Sequence, residues 1–396
     1  MKKLIQAKFL TMICFLIVLF VVFFQNISDV IYGCRATAWN LLHNKELDLS
    51  IIQEYHDKGF TETNRLITLN GGFQRLMGAR GVNERYKLDN GHLTYVVEQH
   101  DVYTLAQNTV AFHNALAETG IPLVYVNTPF KLQQNNEQLP TGIQDFSNKN
   151  ADNYLMYLQK NNVPFLDLRN NMESDRLDHY SMFYKNDHHW TAEAGLWAAK
   201  KITSYLSRMD SIFSVPETLY DSSNYTFQMH KNTFLGSAGR RVGPLYNGLD
   251  DMTLIIPNFE TNISFVSKNS NISRQGRFDE AFLFMENLET ATLIESNGYN
   301  VYCNGDHDQV IIHNYSSASG NSPVSKKVLL LKDSFSNVLI PYLSLGYEEL
   351  DVIDLRYFTG NLLEHVQNTH PDLVLVIYNP GAYENHNAEM FQFISN

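Results

Sequence analysis

The sequence predicts an α/β domain with a mostly parallel sheet, preceded by one N-terminal transmembrane helix. Segments with helical periodicity alternate with short apolar strands, which is typical of parallel sheets. A long apolar run follows Lys2, Lys3 and Lys8 at the start of the chain. With 396 residues, the chain is long enough to bury a sizeable core.

The apolar run extends from Phe9 to Phe24, and residues 27–31 can lengthen it to the thickness of a bilayer. Its positive flank predicts a cytoplasmic N-terminus and an extracytoplasmic body. A cleaved signal peptide is the alternative, but small residues of the A-x-A kind are missing after Phe24. We therefore predict a single-pass anchor in the cell membrane at residues 1–31, followed by a linker and entry region at residues 32–100.

Residues 101–396 form the predicted catalytic domain. Apolar periodicity predicts a helix over Val102–Thr119 and a buried strand over Ile121–Val126. A second helix and strand pair occupies Asn153–Leu168. Thr191 is a good N-cap for a third helix.

A large insertion, at about 208–325, is polar and rich in Asn and Ser. We expect Tyr299–Cys303 and Gln309–His313 to pair as a hairpin across the Asn304-Gly305 turn. The α/β pattern then returns, and its predicted elements follow in chain order: strand Lys327–Leu331, helix Phe335–Leu343 with a kink at Pro341, strand Glu349–Leu355 and strand Asp372–Tyr378.

The formal net charge of −12 argues against binding to nucleic acid or to an anionic membrane surface by charge. It is compatible with a neutral glycan or a small acyl donor. Of the three cysteines, Cys34 and Cys303 could pair in an oxidising compartment, and the sequence leaves this open.

Ser334 follows an apolar strand and precedes a predicted helix, which is where open α/β sheets place reactive groups. Helix N-terminal N–H groups near such a serine can help to stabilise an oxyanion. The serine also needs a base, because its hydroxyl is a weak nucleophile. The alternative is that Asp333 or Ser334 only caps the helix.

Asp187-His188-His189-Trp190 is the second unusual cluster. The Asp187 carboxylate could hold one imidazole nitrogen of His189 and leave the other to take a serine proton. His188 is the competing histidine. A solvated loop ahead of a capped helix is the alternative without chemistry.

A metal site is a further possibility, since Zn or Mn ligands could come from a group of nearby residues: Asp178, His179, Asp187, His188 and His189. However, the chain has neither an H-E-x-x-H nor a C-x-x-C motif. The metal-dependent phosphoesterases that share Asp-His-His need further Asp motifs, which we do not find. We therefore predict no metal and no cofactor.

The segment Asn186–Thr191 resembles the signature of the DHHW protein family. Lys332–Ser336 resembles the nucleophile segment of SGNH hydrolase-like acyltransferases, among them the AlgX and AlgJ alginate O-acetylation proteins. The order of the motifs also matches, and it is permuted relative to ordinary SGNH hydrolases. Three further segments, 70–75, 234–237 and 354–358, resemble the DHHW family, so that most of the chain after the anchor is covered.

The resemblance implies a three-layer α/β/α fold with Ser334 as nucleophile, His189 as base and Asp187 as the group that orients His189. Lys332 departs from the pattern, because the relatives have Gly before Asp-Ser. No Gly-x-Asn-Asp block supplies an oxyanion Asn, so we expect Gly236 or Asn379 to substitute. We expect the pocket to be lined by three more residues: Arg240, Arg356 and Tyr357.

The implied activity is O-acyl transfer, most simply O-acetyl transfer to a secreted polysaccharide or the cell wall. The implied partners are the polysaccharide acceptor and a multi-pass membrane O-acyltransferase that supplies the acyl group. A carbohydrate esterase with the same triad is one alternative. A non-catalytic scaffold or glycan-binding component of a polysaccharide export complex is the other, and Lys332 slightly favours it.

Overall fold

The computed structural model describes residues 63–135, 138–288, 293–316 and 322–394, with scattered positions between 12 and 43. Within these residues, no helix combines the length and the apolar character needed to cross a bilayer. Most of the predicted anchor at residues 1–31 lies outside the described residues, as does most of the linker up to residue 62.

Ten α-helices and thirteen strands are found in the described residues. The helices are α1 (Thr63–Leu76), α2 (Tyr103–Glu118), α3 (Ser147–Lys160), α4 (Leu168–Ser174), α5 (Ala192–Met209), α6 (Ser237–Val242), α7 (Pro244–Asn247), α8 (Phe278–Phe282), α9 (Ile340–Leu343) and α10 (Leu362–Thr369). The strands are β1 (Gly81–Val82), β2 (Arg85–Lys87), β3 (Leu93–Thr94), β4 (Leu123–Asn127), β5 (Phe165–Asp167), β6 (Tyr225–Phe234), β7 (Asp250–Pro257), β8 (Ile263–Ser267), β9 (Ile272–Gly276), β10 (Gln309–Asn314), β11 (Val324–Lys332), β12 (Tyr347–Ile353) and β13 (Leu373–Tyr378).

An eight-stranded sheet forms the centre of the domain, in the order β5-β4-β13-β11-β12-β10-β8-β9. The five strands from β5 to β12 are parallel. The last three are antiparallel to their neighbours. The prediction of a mostly parallel α/β sheet is therefore confirmed. Strands β1–β3 form a small separate sheet, and β6 pairs with β7.

Side chains of β11 alternate between the two faces of the sheet, as the two-residue period of a strand requires. Val328 and Leu330 join one buried cluster, together with apolar residues of α5. Leu329 and Leu331 join the other cluster, together with apolar residues of α2 and α3. Helices thus cover both faces of the sheet, which gives three layers.

The insertion contributes to the central sheet, because β8, β9 and β10 all come from residues 208–325. The predicted hairpin is wrong. Gly298–Val301 is a 3-10 helix, and β10 pairs with β8 and β12 instead. The turn predicted at Asn304-Gly305 exists, with positive φ at both residues. However, the segments before and after it do not pair with each other.

The segment after Ser334 also differs from the prediction. It is a 3-10 helix over Ser334–Val338, followed by the short α9, and not one kinked helix. Pro341 lies in the first turn of α9, where its missing N–H costs nothing, so that it starts a helix and does not kink one. The thiols of Cys34 and Cys303 are free, which answers the question that the sequence left open.

Helix α5 approaches the segment after Ser334 at Gly195. A Cβ atom at this position would lie 2.3 Å from the carbonyl oxygen of Val338. We expect Gly195→Ala to lower the free energy of unfolding by about 1–3 kcal/mol, as overpacking does, although alanine favours helices. Urea denaturation measures this. Gly72→Ala is the control, because its Cβ would meet only the Leu245 side chain, at 3.3 Å; equal stability losses in the two variants would contradict the expectation.

Candidate active site

Ser334 lies just beyond the carboxyl end of the central parallel strand β11. Asp333 caps the following 3-10 helix, since its Oδ1 accepts the Phe335 N–H at 2.9 Å. This bond occupies the Phe335 N–H, which is one of the helix N-terminal N–H groups near the serine. Within the described part of the chain, the N–H of Ser334 itself has no hydrogen-bond acceptor. A free donor therefore adjoins the serine hydroxyl.

Three side chains from two distant segments meet at this point. His189 Nε2 lies 2.8 Å from Ser334 Oγ, across 145 residues of sequence. The other ring nitrogen of His189, Nδ1, lies 2.6 Å from Asp187 Oδ1. The structure thus brings together Asp187, His189 and Ser334 with the connectivity of a carboxylate, an imidazole and a hydroxyl that can relay a proton.

The Asp187 carboxylate is fully buried and has several donors. Its Oδ1 also accepts the main-chain N–H of His189 at 2.8 Å, and its Oδ2 accepts the N–H of Ser237 at 2.6 Å. Burial alone raises the pKa of the Asp187 carboxyl, but the rings of His189 and His188 and the bonds from His189 lower that pKa well below its usual value. The carboxyl group therefore stays ionised beside the imidazole.

His188, the competing histidine, lies closer to Ser237 than to Asp187, whose Oδ1 is 3.3 Å from His188 Nδ1. Its Nδ1 lies 2.7 Å from Ser237 Oγ, and its ring lies against that of His189, with 3.7 Å between centroids. Burial, followed by the charge of His189, lowers the pKa of His188 to about 3. His188 is therefore a neutral group that lines the cleft beside Ser334.

Aromatic contacts fix the ring of His189 and the turn that carries Ser334. Tyr299, from the insertion, stacks on His189 at 3.9 Å between centroids and 9° between planes. Trp190 Nε1 donates to the carbonyl oxygen of Phe335 at 2.7 Å, and the Tyr299 hydroxyl donates to the same oxygen at 3.3 Å. Trp190 and Tyr299 thus hold His189 and the turn that carries Ser334 in a fixed relative position.

Sequence reasoning missed Lys131. Its buried ammonium donates to the carbonyl oxygens of Tyr184 at 2.6 Å, Lys185 at 3.1 Å and Asp187. Burial lowers the pKa of Lys131 to about 7, while the carboxylates of Asp250 and Asp187 oppose that shift. A lysine soon after an apolar strand was the only signal, and no local pattern connects it to a loop more than 50 residues away.

Lys332, the departure from the family pattern, turns out to be buried in an ion cluster. Its ammonium lies 2.5 Å from Asp306 Oδ1, 3.4 Å from Asp354 Oδ2 and 3.0 Å from Asn337 Oδ1. Arg356 completes the cluster, at 2.5 Å from Asp354 and 3.0 Å from Asp306. Burial lowers the pKa of Lys332, but the two carboxylates raise it, and the net direction is upward. The ammonium of Lys332 is therefore paired within this cluster.

The two expected oxyanion groups have different surroundings. Asn379 follows the last strand, β13, and lines the cleft with Ser334. Its Nδ2 donates to Asp333 Oδ2 at 2.7 Å, which leaves a second amide hydrogen. Gly236 packs on Asp187, because a Cβ there would lie 2.3 Å from the Asp187 Cβ. The cleft lining includes the next residue, Ser237, and not Gly236.

Ser334 opens into a cleft of about 910 Å³. Arg240 and Arg356 line it, as expected from the sequence. Tyr357 does not, since it is 52% exposed and lies with its ring 5.3 Å from the Arg356 guanidinium. The entry region adds lining residues that sequence reasoning missed, among them Arg85 and Tyr95.

Potential metal ligands of Asp187, His188 and His189 lie within 4.8 Å of one another. However, both ring nitrogens of His189 and Nδ1 of His188 already face protein partners. Among the described residues, Asp178 and His179 do not join this group. The donor set therefore fits a proton relay better than a metal centre.

Residues 91–246 match the family model of the SGNH hydrolase-like domain, acetyltransferase AlgX. The match confirms the predicted resemblance and, with it, the prediction of an SGNH-like acyltransferase or esterase. The matched segment includes Asp187 and His189 and ends before Ser334. No curated protein is similar enough in sequence to count as a match.

Several solved structures resemble the chain over most of its length. Bacillus cereus PatB1 has a TM-score of 0.61 and 20% identity, over 78% of this chain and 99% of that chain. A DHHW family protein from Eubacterium siraeum has a TM-score of 0.59 and 17% identity, over 80% and 97%. At these identities the likeness establishes the fold. A second PatB1 structure contains a sulfonyl adduct.

Lys131 gives a test of how the loop before His189 is held. We expect Lys131→Met to leave three carbonyl groups without their donor and to lower the free energy of unfolding by about 2–4 kcal/mol. Thermal and urea unfolding measure the loss. Lys149→Met, at an exposed position of α3, is the control and should change stability by less than about 0.5 kcal/mol. A Lys131 variant as stable as this control would show that the carbonyl contacts contribute little.

Proposed function

We propose that this protein is a membrane-anchored, extracytoplasmic O-acyltransferase that transfers an acyl group, most simply acetyl, to a hydroxyl of a secreted or cell-surface polysaccharide. The main support is the hydrogen-bond chain from Asp187 through His189 to Ser334 at the floor of an open cleft. Such a chain activates a serine that would otherwise be a weak nucleophile.

The first half of the reaction acylates the serine. Ser334 Oγ attacks the carbonyl carbon of the acyl donor while His189 Nε2 takes the hydroxyl proton. Asp187 stabilises the imidazolium that forms. The tetrahedral intermediate then collapses, the bond to the leaving group breaks, and His189 returns the proton to that group. Ser334 is left as an acyl ester.

An oxyanion forms at each tetrahedral intermediate and needs donors that are already in position. The Ser334 N–H, which has no acceptor among the described residues, is the first candidate. The second amide hydrogen of Asn379 is the other, because Asp333 holds the first one. We assign these two groups as the oxyanion hole, in preference to Gly236.

The second half transfers the acyl group. A sugar hydroxyl enters the cleft, His189 takes its proton, and the sugar oxygen attacks the acyl ester. Ser334 then regains a proton from His189. If water replaces the sugar, the same steps give an esterase. The choice between transferase and esterase depends on how well the cleft holds the acceptor.

The apolar run at residues 9–24 supports the anchor and the extracytoplasmic location of the domain, since Lys2, Lys3 and Lys8 flank it on the N-terminal side. An extracytoplasmic transferase needs an acyl donor outside the cytoplasm. We propose that a multi-pass membrane O-acyltransferase supplies it, as the resemblance to the AlgX and AlgJ proteins implies.

Trapping the acyl-enzyme tests the proposal. The full-length protein in detergent is mixed with p-nitrophenyl acetate, quenched in acid and analysed by intact mass. We expect one acetyl group per chain, none on Ser334→Ala, and a rate at least about 1,000-fold lower for His189→Ala.

Ser336→Ala is the matched control. Ser336 is buried two residues away, and its hydroxyl has no partner among the described residues, so that its loss should be tolerated. If folded wild-type protein forms no adduct, or Ser334→Ala still does, the assignment of the nucleophile fails and the scaffold alternative gains. If an adduct forms but only water removes it, even with candidate oligosaccharides present, the esterase alternative is correct.

A further inference from the structure

Three arginines from two neighbouring elements line the cleft above Ser334. Arg85, from β2, and Arg240 and Arg241, both from α6, line it together with Ser334. We call these three residues the arginine wall. They come from the entry region and from the start of the insertion, and they are separate from the ion cluster of Arg356.

Within the described part of the chain, no guanidinium of the arginine wall forms an ion pair. Acidic residues are nevertheless plentiful in this chain, since 42 of them face 30 basic ones. Other arginines do find carboxylates within 4 Å: Arg80, Arg169, Arg274, Arg277 and Arg356. The wall therefore holds positive charge that the protein does not neutralise at close range.

Two of these guanidinium groups have N–H donors without an acceptor among the described residues. Arg240 Nε is buried and has no hydrogen-bond partner in the described residues. A buried donor without an acceptor is unfavourable, and an incoming acceptor would relieve that cost. Arg85 lies over the Tyr95 ring at 5.6 Å and donates only to the main-chain oxygen of Glu84. Burial, followed by the charge of Arg241, lowers the pKa of Arg85.

The wall is attached directly to the catalytic loop. Helix α6 begins at Ser237, whose N–H donates to Asp187 Oδ2 and whose hydroxyl lies 2.7 Å from His188 Nδ1. Arg240 follows one helical turn later, at a rise of about 5 Å. A group bound by the wall would thus be held at a fixed position relative to the His189 and Ser334 side chains.

Among the described residues, no acidic side chain of the cleft forms an ion pair with these three guanidinium groups, although the charges of Glu84 and Asp187 act on Arg85 at longer range. Asp333 accepts from Asn379 and Phe335, and Glu98 and Glu384 belong to other segments of the cleft lining. Glu84 is exposed and makes no ion pair among the described residues. An anion would therefore find the three guanidinium groups available.

We propose that the arginine wall binds an anionic group, a carboxylate or a phosphate, of the acceptor polysaccharide. Guanidinium groups bind both kinds of oxyanion with paired, charge-assisted hydrogen bonds. This inference rests on the proposed acyl transfer and adds the class of acceptor to it. The overall charge was compatible with a neutral glycan but selected no acceptor, and the arginine wall favours an anionic one.

Equilibrium binding tests the proposal without requiring chemistry. Full-length Ser334→Ala protein in detergent is titrated calorimetrically with three ligands. They are an oligouronide, its fully methyl-esterified form, and an oligosaccharide of equal length whose single charged group is one phosphate. We expect at least one charged ligand to bind about tenfold more tightly than the ester, a difference of about 1.4 kcal/mol. Whether the oligouronide or the phosphorylated ligand binds identifies the anionic group.

The preference for charge should fall to about twofold or less when Arg85→Gln or Arg241→Gln is added. Arg241 is exposed, so its replacement should not affect folding, which circular dichroism checks. Arg208→Gln, at an exposed position at the end of α5, is the control and should keep the full preference. Equal binding of charged and esterified ligands, or a preference that survives both wall variants, would overturn the inference.

The two proposals fail in different ways. If Ser334 forms no acetyl adduct but charge-selective binding depends on the wall, the anion subsite stands and acyl transfer does not. If the adduct forms but binding ignores charge, acyl transfer stands and the arginine wall is not the acceptor subsite.

Discussion

The contacts of one buried ammonium group underlie the arrangement of the candidate site. Lys131 binds three carbonyl oxygens in the loop that leads to His189. Main-chain carbonyl groups that turn inward in a loop would otherwise be buried without a donor, which is costly. The Asn186 N–H is held in turn by Asp250 Oδ2 at 2.7 Å. With its backbone fixed from behind, the loop presents Asp187 and His189 to the nucleophile turn.

The second constraint is the ion cluster behind Ser334. Buried charges are tolerated only where they are paired and hydrogen-bonded, and removal of one partner leaves the other uncompensated. Here Lys332 and Arg356 face Asp306 and Asp354, so the formal charges balance. Asp306 belongs to the insertion, which also supplies Tyr299. The insertion is therefore part of the site, and not an appendage that could be removed without loss.

The sequence was informative wherever the signal was local. Apolar runs and caps predicted the helices over Tyr103–Glu118 and Ala192–Met209 and the main parallel strands, and the motifs brought Asp187, His189 and Ser334 to attention. It failed where partners are distant. The strand Gln309–Asn314 pairs with β8 and β12, and not with the segment before the adjacent turn, because tertiary contacts outweigh a local hairpin signal.

The same limit applies to the site. Tyr357 was expected in the pocket together with Arg356, but only Arg356 lines the cleft, since successive residues need not share a side. In the sequence, Lys332 counted as a departure from the family pattern. Its partner Asp306 lies 26 residues earlier, so no local pattern revealed the ion pair. No local sequence pattern indicated Arg85 or Tyr95, because their place in the cleft depends on how the entry region folds over the carboxyl edge of the sheet.

An acyl-enzyme in an open cleft has a competing reaction, because water is present at very high concentration. A sugar hydroxyl prevails only if binding holds it near the ester in a suitable orientation. Such positioning can lower the barrier by about 7–11 kcal/mol. The triad gives no such advantage, since it activates water and sugar alike. Groups that bind the acceptor away from the reacting atoms must therefore supply the preference for sugar over water. In this cleft the arginine wall is suited to that task, as its charge is unpaired within the described chain and its helix is bonded directly to Asp187 and His188.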